Sequence, residues 1–148
     1  MVKKFNLIIL AIGLIIQLSY VDAQEKEKFK IIVHESNSIT KLSRKKLSRI
    51  FLKKEGQWKN GEKITAVDLV ENSEIREAFS REIHGKNVSS IKAYWQKQIF
   101  TGRDVPLPEK LTEEEVIRYV QENDGAIGYV ASATPIEKYH VKVLGLED

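Results

Sequence analysis

ITAVDLVENSEIREAFSREIHG, residues 64–85, changes its periodicity once, and that change organises the rest of the chain. Ile64, Ala66, Val67, Leu69 and Val70 form an extended apolar run. Glu71, Asn72 and Ser73 make a polar turn. Ile75, Ala78, Phe79 and Ile83 then recur at helical spacing, which places them on one face of a helix. Ser73 or Asn72 is positioned to cap that helix by accepting a bond from a free backbone N–H. Gly85 suits a left-handed C-terminal stop. A strand that delivers the chain to a helix N-terminus is an ordinary α/β connection. It is also how anion sites are built, because orphan N–H groups and the positive end of the dipole converge there.

Downstream, Asn87 or Ser89 opens a third helix, with Ile91, Tyr94, Trp95 and Ile99 expected inward. Asp104–Pro108 reads as a rigid, extended connection. Thr112 and Glu115 fit a capping box ahead of an apolar stripe of Val116, Ile117 and Val120. Asn123-Asp124-Gly125 stops that helix, and Ala126–Val130 and Val141–Leu144 read as strands. Upstream, Ile31–Val33 suits a buried strand. Thr40 or Ser43 caps a helix whose core face is Leu47, Ile50 and Phe51. Its outer face carries Arg44, Lys45, Lys46, Arg49, Lys53 and Lys54. That face is either solvated or a docking surface for an acidic partner. Asn60-Gly61 marks a tight turn. Trp58 beside it is either a loop anchor or a stacking surface for a ligand.

Strands alternating with helices predict an α/β layer fold with a mixed or mostly parallel sheet flanked by helices. In such sheets ligands sit beyond the carboxyl ends of the strands, which makes the turn at 71–73 the expected site.

Residues 1–23 stand apart. Lys3 and Lys4 precede an unbroken apolar run from Leu7 to Ile16, and Val21-Asp22-Ala23 supplies a cleavage site. This is the pattern of a secretory signal peptide. The run is shorter than the roughly 20 residues of a transmembrane span, although retention as an N-terminal anchor is the alternative. The expected organisation is a signal peptide at 1–23 and one domain at 24–148, periplasmic or secreted, with no membrane span after cleavage. The chain has no cysteine, so no disulfide or lipidated cysteine forms. Its net charge of +3 is small, and an exported protein is not expected to meet nucleic acid.

Catalytic constellations are scarce. His34, His84 and His140 lack metal-ligand spacing, and each reads as a surface or packing histidine. No nucleophile elbow, phosphate loop or dinucleotide fingerprint is present. No catalytic residue, metal site or cofactor is predicted, and the chain is not expected to be an enzyme.

Four segments in order, LSRKKLSRIFLKKEGQWKNGEKITAVDL, NSEIREAFSREIHG, YWQKQIFTGRDVP and DGAIGYV, resemble the small periplasmic relatives of the phosphate-binding proteins of ABC transporters. These are PBP-like domain proteins of the type II periplasmic binding fold. The resemblance spans roughly residues 29–145 and implies a single lobe of that fold. It implies a small oxyanion such as phosphate as ligand, and an envelope protein or transporter as partner. It carries Ser73 over as a ligand-binding residue, with Asn72 in the same turn. The family's Ser-Gly-Thr is here Ser73-Glu74-Ile75, and the arginine that precedes the turn is replaced by Val70 or Glu71. Arg76 is the candidate substitute, reaching back from the first helical turn. A cation there opposes the helix dipole, so compensation is expected from an anion or from Glu74, Glu77 or Ser80. Glu71 and Glu74 repel an oxyanion in the same place. The alternative is therefore a non-catalytic envelope interaction module that kept the fold and lost the ligand, working through the basic face of residues 44–54.

Overall fold

The computed structural model describes residues 27–148. The expected signal segment and its cleavage site lie outside them. Strand β1 (Phe29–His34) is the middle of a five-stranded sheet. It is flanked by β6 (Ala126–Ala131) and β7 (Val141–Glu147), both antiparallel to it. The edges are β2 (Lys41–Ser43), parallel to β7, and β3 (Thr65–Ala66), parallel to β6. The sheet is therefore mixed, with β1 alone running against the other four strands. A second, two-stranded parallel sheet pairs β4 (Asp68–Leu69) with β5 (Glu109–Lys110).

Helices cover both faces, which is why Ile31, Ile32 and Val33 are all buried instead of alternating. Helix α1 (Arg44–Phe51) is capped by Ser43, whose hydroxyl accepts from the Lys46 amide. Leu47, Ile50 and Phe51 form its buried face. Helix α2 (Glu74–Phe79) contributes Phe79, which stacks on Tyr129 of β6 with ring centroids 4.0 Å apart. Phe29 and Phe51 close around that pair at 5.4 and 4.7 Å from Phe79, giving one aromatic core. On the opposite face lies α4 (Glu113–Glu122), opened by the expected capping box of Thr112 and Glu115. Its Val116 and Val120 sit so close to Gly128 that an added Cβ would lie 2.7 Å from Val116 Cγ1.

Four features depart from the sequence reading. The run from Ile64 to Val70 is two short strands in two different sheets. Its backbone pairs with β6 up to Val67 and then with the 108–110 segment. Glu109 and Lys110, directly after the connection expected at Asp104–Pro108, thereby become β5. Strand β2 was not expected, because three residues cannot show alternation. Helix α2 passes into a π-helical turn, Ser80–His84, before Gly85 ends it at φ 64°. Finally, α3 (Val88–Phe100) buries Ile91 and Trp95, but Ile99, expected inward, is half exposed.

Trp58 takes the anchoring role. It is buried, and its indole N–H donates to the Gly125 carbonyl at 3.1 Å.

Candidate functional site

The turn at 70–73 follows β4 and feeds α2. The Ser73 amide bonds back to the Val70 carbonyl, closing the turn. The Ser73 hydroxyl accepts from the Arg76 amide at 3.2 Å, so Ser73, not Asn72, is the cap. Asn72 is exposed beside it. The amides of Glu74 and Ile75, in the first turn, have no intrahelical acceptor. Glu71 and Glu74 are exposed on either side, and Glu71 is paired with Lys92 at 2.9 Å.

Arg76 does reach back, but into the protein. It is 5% exposed, and its Nη1 donates to the Leu69 carbonyl at 2.6 Å. The same nitrogen meets Glu109 Oε1 at 2.5 Å, and Nη2 lies 3.3 Å from Asp68 Oδ2. Asp68 in turn accepts from the Tyr129 hydroxyl and, at 2.9 Å, from the Leu69 amide. The compensation for the cation thus comes from Asp68 and Glu109, not from Glu74, Glu77 or Ser80. Glu77 is bonded instead to Arg81 and to the Val88 amide. Burial pushes the Asp68 carboxyl above its ordinary range, against the pull of Arg76 and the Tyr129 hydroxyl. Burial and the neighbouring Asp68 push the Tyr129 phenol up as well. Burial works against the charge on Arg76, yet Asp68 and Glu109 prevail and hold it more firmly protonated than usual.

No sequence rule points to this cluster. Asp68 and Glu109 come from paired strands 41 positions apart in the chain. The one signal was a lone aspartate inside an apolar run.

A cavity of about 360 Å³ opens elsewhere, lined by Ile50, Lys53, Thr65, Leu107, Pro108 and Tyr119 among others. None of Asn72, Ser73 and Arg76 lines it. Two pairs of charges at its rim are matched: Lys53 with Asp104 at 3.1 Å, and Glu55 with Lys46 at 3.0 Å.

The histidines each have separate partners. His34 bonds Ser36, and His140 lies 2.9 Å from Glu35. His84 Nδ1 lies 2.8 Å from Ser48 Oγ, and the ring packs edge-on against Phe79. Burial, with Arg76, Lys54 and Lys86 nearby, lowers the His84 pKa to about 4. The pair has a hydroxyl and a neutral imidazole, but no carboxylate is bonded to the ring. Among the described residues, no group of three or more acidic or histidine side chains is placed to hold a metal.

No protein-family model matches the chain, and no curated protein matches it in sequence. Solved structures do. A phosphate transport receptor of the ABC type from Vibrio cholerae superposes with a TM-score of 0.63 at 20% identity, over 82% of this chain and 47% of that one. A Clostridium perfringens protein crystallised with bound phosphate gives 0.63 at 19% identity, over 80% and 44%. PstS from Borrelia burgdorferi gives 0.56 at 20% identity, over 82% and 47%.

The fold is PBP-like.

The chain spans less than half the length of these proteins, so the PBP-like fold here corresponds to about half of theirs. Its mixed sheet with helices on both faces is the architecture expected from the resemblance. Two of these neighbours are described as ABC-type phosphate transport proteins, one as a receptor and one, provisionally, as a substrate-binding protein. Among the described residues no helix is long and apolar enough to cross a membrane.

Proposed function

We propose that this chain is an exported solute-binding lobe of the PBP-like type that takes a small oxyanion, phosphate being the leading member of the class. The observation that carries the reading is the helix start at Ser73, capped and open to solvent at the end of β4. The free amides of the first turn, with Asn72 and Ser73, supply the hydrogen bonds. Arg76 lies behind the turn and offers the ligand no free donor, because its donors are engaged by Leu69, Asp68 and Glu109. A membrane transporter is the natural partner of such a lobe.

One lobe leaves much of the ligand wet, and Glu71 and Glu74 stand beside the turn. Binding by the monomer is therefore weak, on the order of millimolar, about 4 kcal/mol. Calorimetric titration with phosphate and sulfate measures it directly. Replacing both Asn72 and Ser73 by alanine should abolish the ligand-induced rise in melting temperature. Glu71→Gln with Glu74→Gln should increase it.

A second reading, a non-catalytic envelope interaction module, is favoured by one observation: the Arg76 guanidinium is already neutralised by two carboxylates. No thermal shift with any oxyanion at tens of millimolar, at matched ionic strength, would decide for that reading.

A further inference from the structure

The most exposed large apolar side chain among the described residues is Phe100, 93% accessible at the last position of α3. Ile99 and Val105 beside it are 53% and 61% accessible. The chain between them is a firmly built tip. Gly102 turns it at φ 66°. The Gly102 and Arg103 amides return to the Ile99 and Gln98 carbonyls, each at 3.0 Å. Lys53 pins the far side, its Nζ donating to the Val105 carbonyl at 2.7 Å and to Asp104 at 3.1 Å. The apolar side chains are therefore presented by a rigid scaffold, so little conformational entropy is lost when they are covered.

The charges around the tip have one sign. Between Ile91 and Leu107 the only acidic residue is Asp104, and Lys53 neutralises it. Lys97 and Arg103 flank Phe100 and have no carboxylate within ion-pairing distance among the described residues. On the basic face at 44–54, four of the six cations, Arg44, Lys46, Arg49 and Lys53, are paired within the chain. A second copy of this chain would set like charges against each other. Three exposed apolar side chains beside cations without a carboxylate partner call for a surface that is both anionic and apolar within. An anionic bilayer surface meets both demands, since it attracts the cations and deforms to admit the aromatic and aliphatic side chains.

We propose that the α3 tip is a membrane-docking element, with Phe100, Ile99 and Val105 entering the interface of an anionic lipid surface and Lys97 and Arg103 contacting its headgroups. The site is independent of the turn at Ser73.

The test uses the chain from Gln24, which carries every element described above, with vesicles of equimolar phosphatidylglycerol and phosphatidylcholine. Sedimentation should show binding at low salt that weakens as salt is raised and is absent on pure phosphatidylcholine. Ile99→Ser with Phe100→Ser should reduce partitioning by about tenfold or more, with the melting temperature unchanged because both side chains are exposed. Lys97→Gln with Arg103→Gln should reduce it as well. In a Phe100→Trp variant the new indole should be quenched by brominated acyl chains. Failure of the wild-type chain to bind anionic vesicles would overturn the proposal. So would binding that survives the double serine change undiminished, since that is surface adsorption without insertion.

Discussion

The Arg76 guanidinium is buried between two carboxylates, 3.3 Å from Asp68 and 2.5 Å from Glu109. A buried ion pair adds little net stability, but removing one partner leaves an uncompensated charge. Arg76→Ala strands the Asp68 carboxylate beside Tyr129 and should cost about 3–5 kcal/mol in urea unfolding. Arg76→Ala with Asp68→Asn should recover part of that loss. His84 gives a pH dependence of definite sign. Its folded pKa is lowered from 6.5 to about 4, so the unfolded chain takes up the proton first. Stability from this group is complete above pH 6.5 and is lost as pH falls toward 4. The loss is about 2–3 kcal/mol at most, the ring being only partly exposed. His84→Gln should therefore flatten the decline of unfolding free energy between pH 6.5 and 5 relative to the wild type.

At the scale of elements, the packing of α2 on the sheet depends on Phe79. Its ring lies flat on Tyr129 and is enclosed by Phe29 and Phe51. Phe79→Ala should cost about 3–5 kcal/mol by denaturant unfolding, and a loss below about 1 kcal/mol would mean the cluster collapses to refill the space. The entry to β6 is governed by close approach. A Cβ on Gly125 would lie 2.1 Å from the Lys63 carbonyl oxygen, and that backbone cannot yield without breaking the bond from Thr65 N to the Gly125 carbonyl. Gly125→Ala should be among the most damaging single changes, about 3 kcal/mol or more in the same assay. The polar stop at Asn123-Asp124-Gly125 was readable as such, but the close approach of Lys63 was not, since it joins segments 62 positions apart.

At the scale of the molecule, the first described strand is the centre of the sheet and the last strand pairs with it. β7 holds β1 on one edge and β2 on the other. Deleting Val141–Asp148 should expose one edge of β1, release β2 and abolish cooperative unfolding seen by far-UV and near-UV circular dichroism. The intact chain should show coincident transitions by both probes.

Local chemistry was legible in the residues themselves. Ser43, Ser73, Asn87 and Thr112 cap their helices, and the stripes of α1 and α4 bury their own apolar faces. These outcomes depend on neighbours three or four positions away, so side-chain chemistry narrows each cap to one or two residues, Thr40 or Ser43, Asn72 or Ser73, Asn87 or Ser89, and Thr112. The order of four segments between Leu42 and Val130 likewise marks the PBP-like fold. Tertiary structure alone decided the rest. It split residues 64–70 between two sheets, turned Ile99 outward and gave Arg76 two carboxylate partners. For the strand the determining contacts come from the distant β6 and β5, and for the guanidinium from Glu109, 33 positions away, together with the nearer Asp68. A linear pattern records which side chains prefer burial or charge, whereas their partners are chosen only when strands distant in sequence are brought side by side.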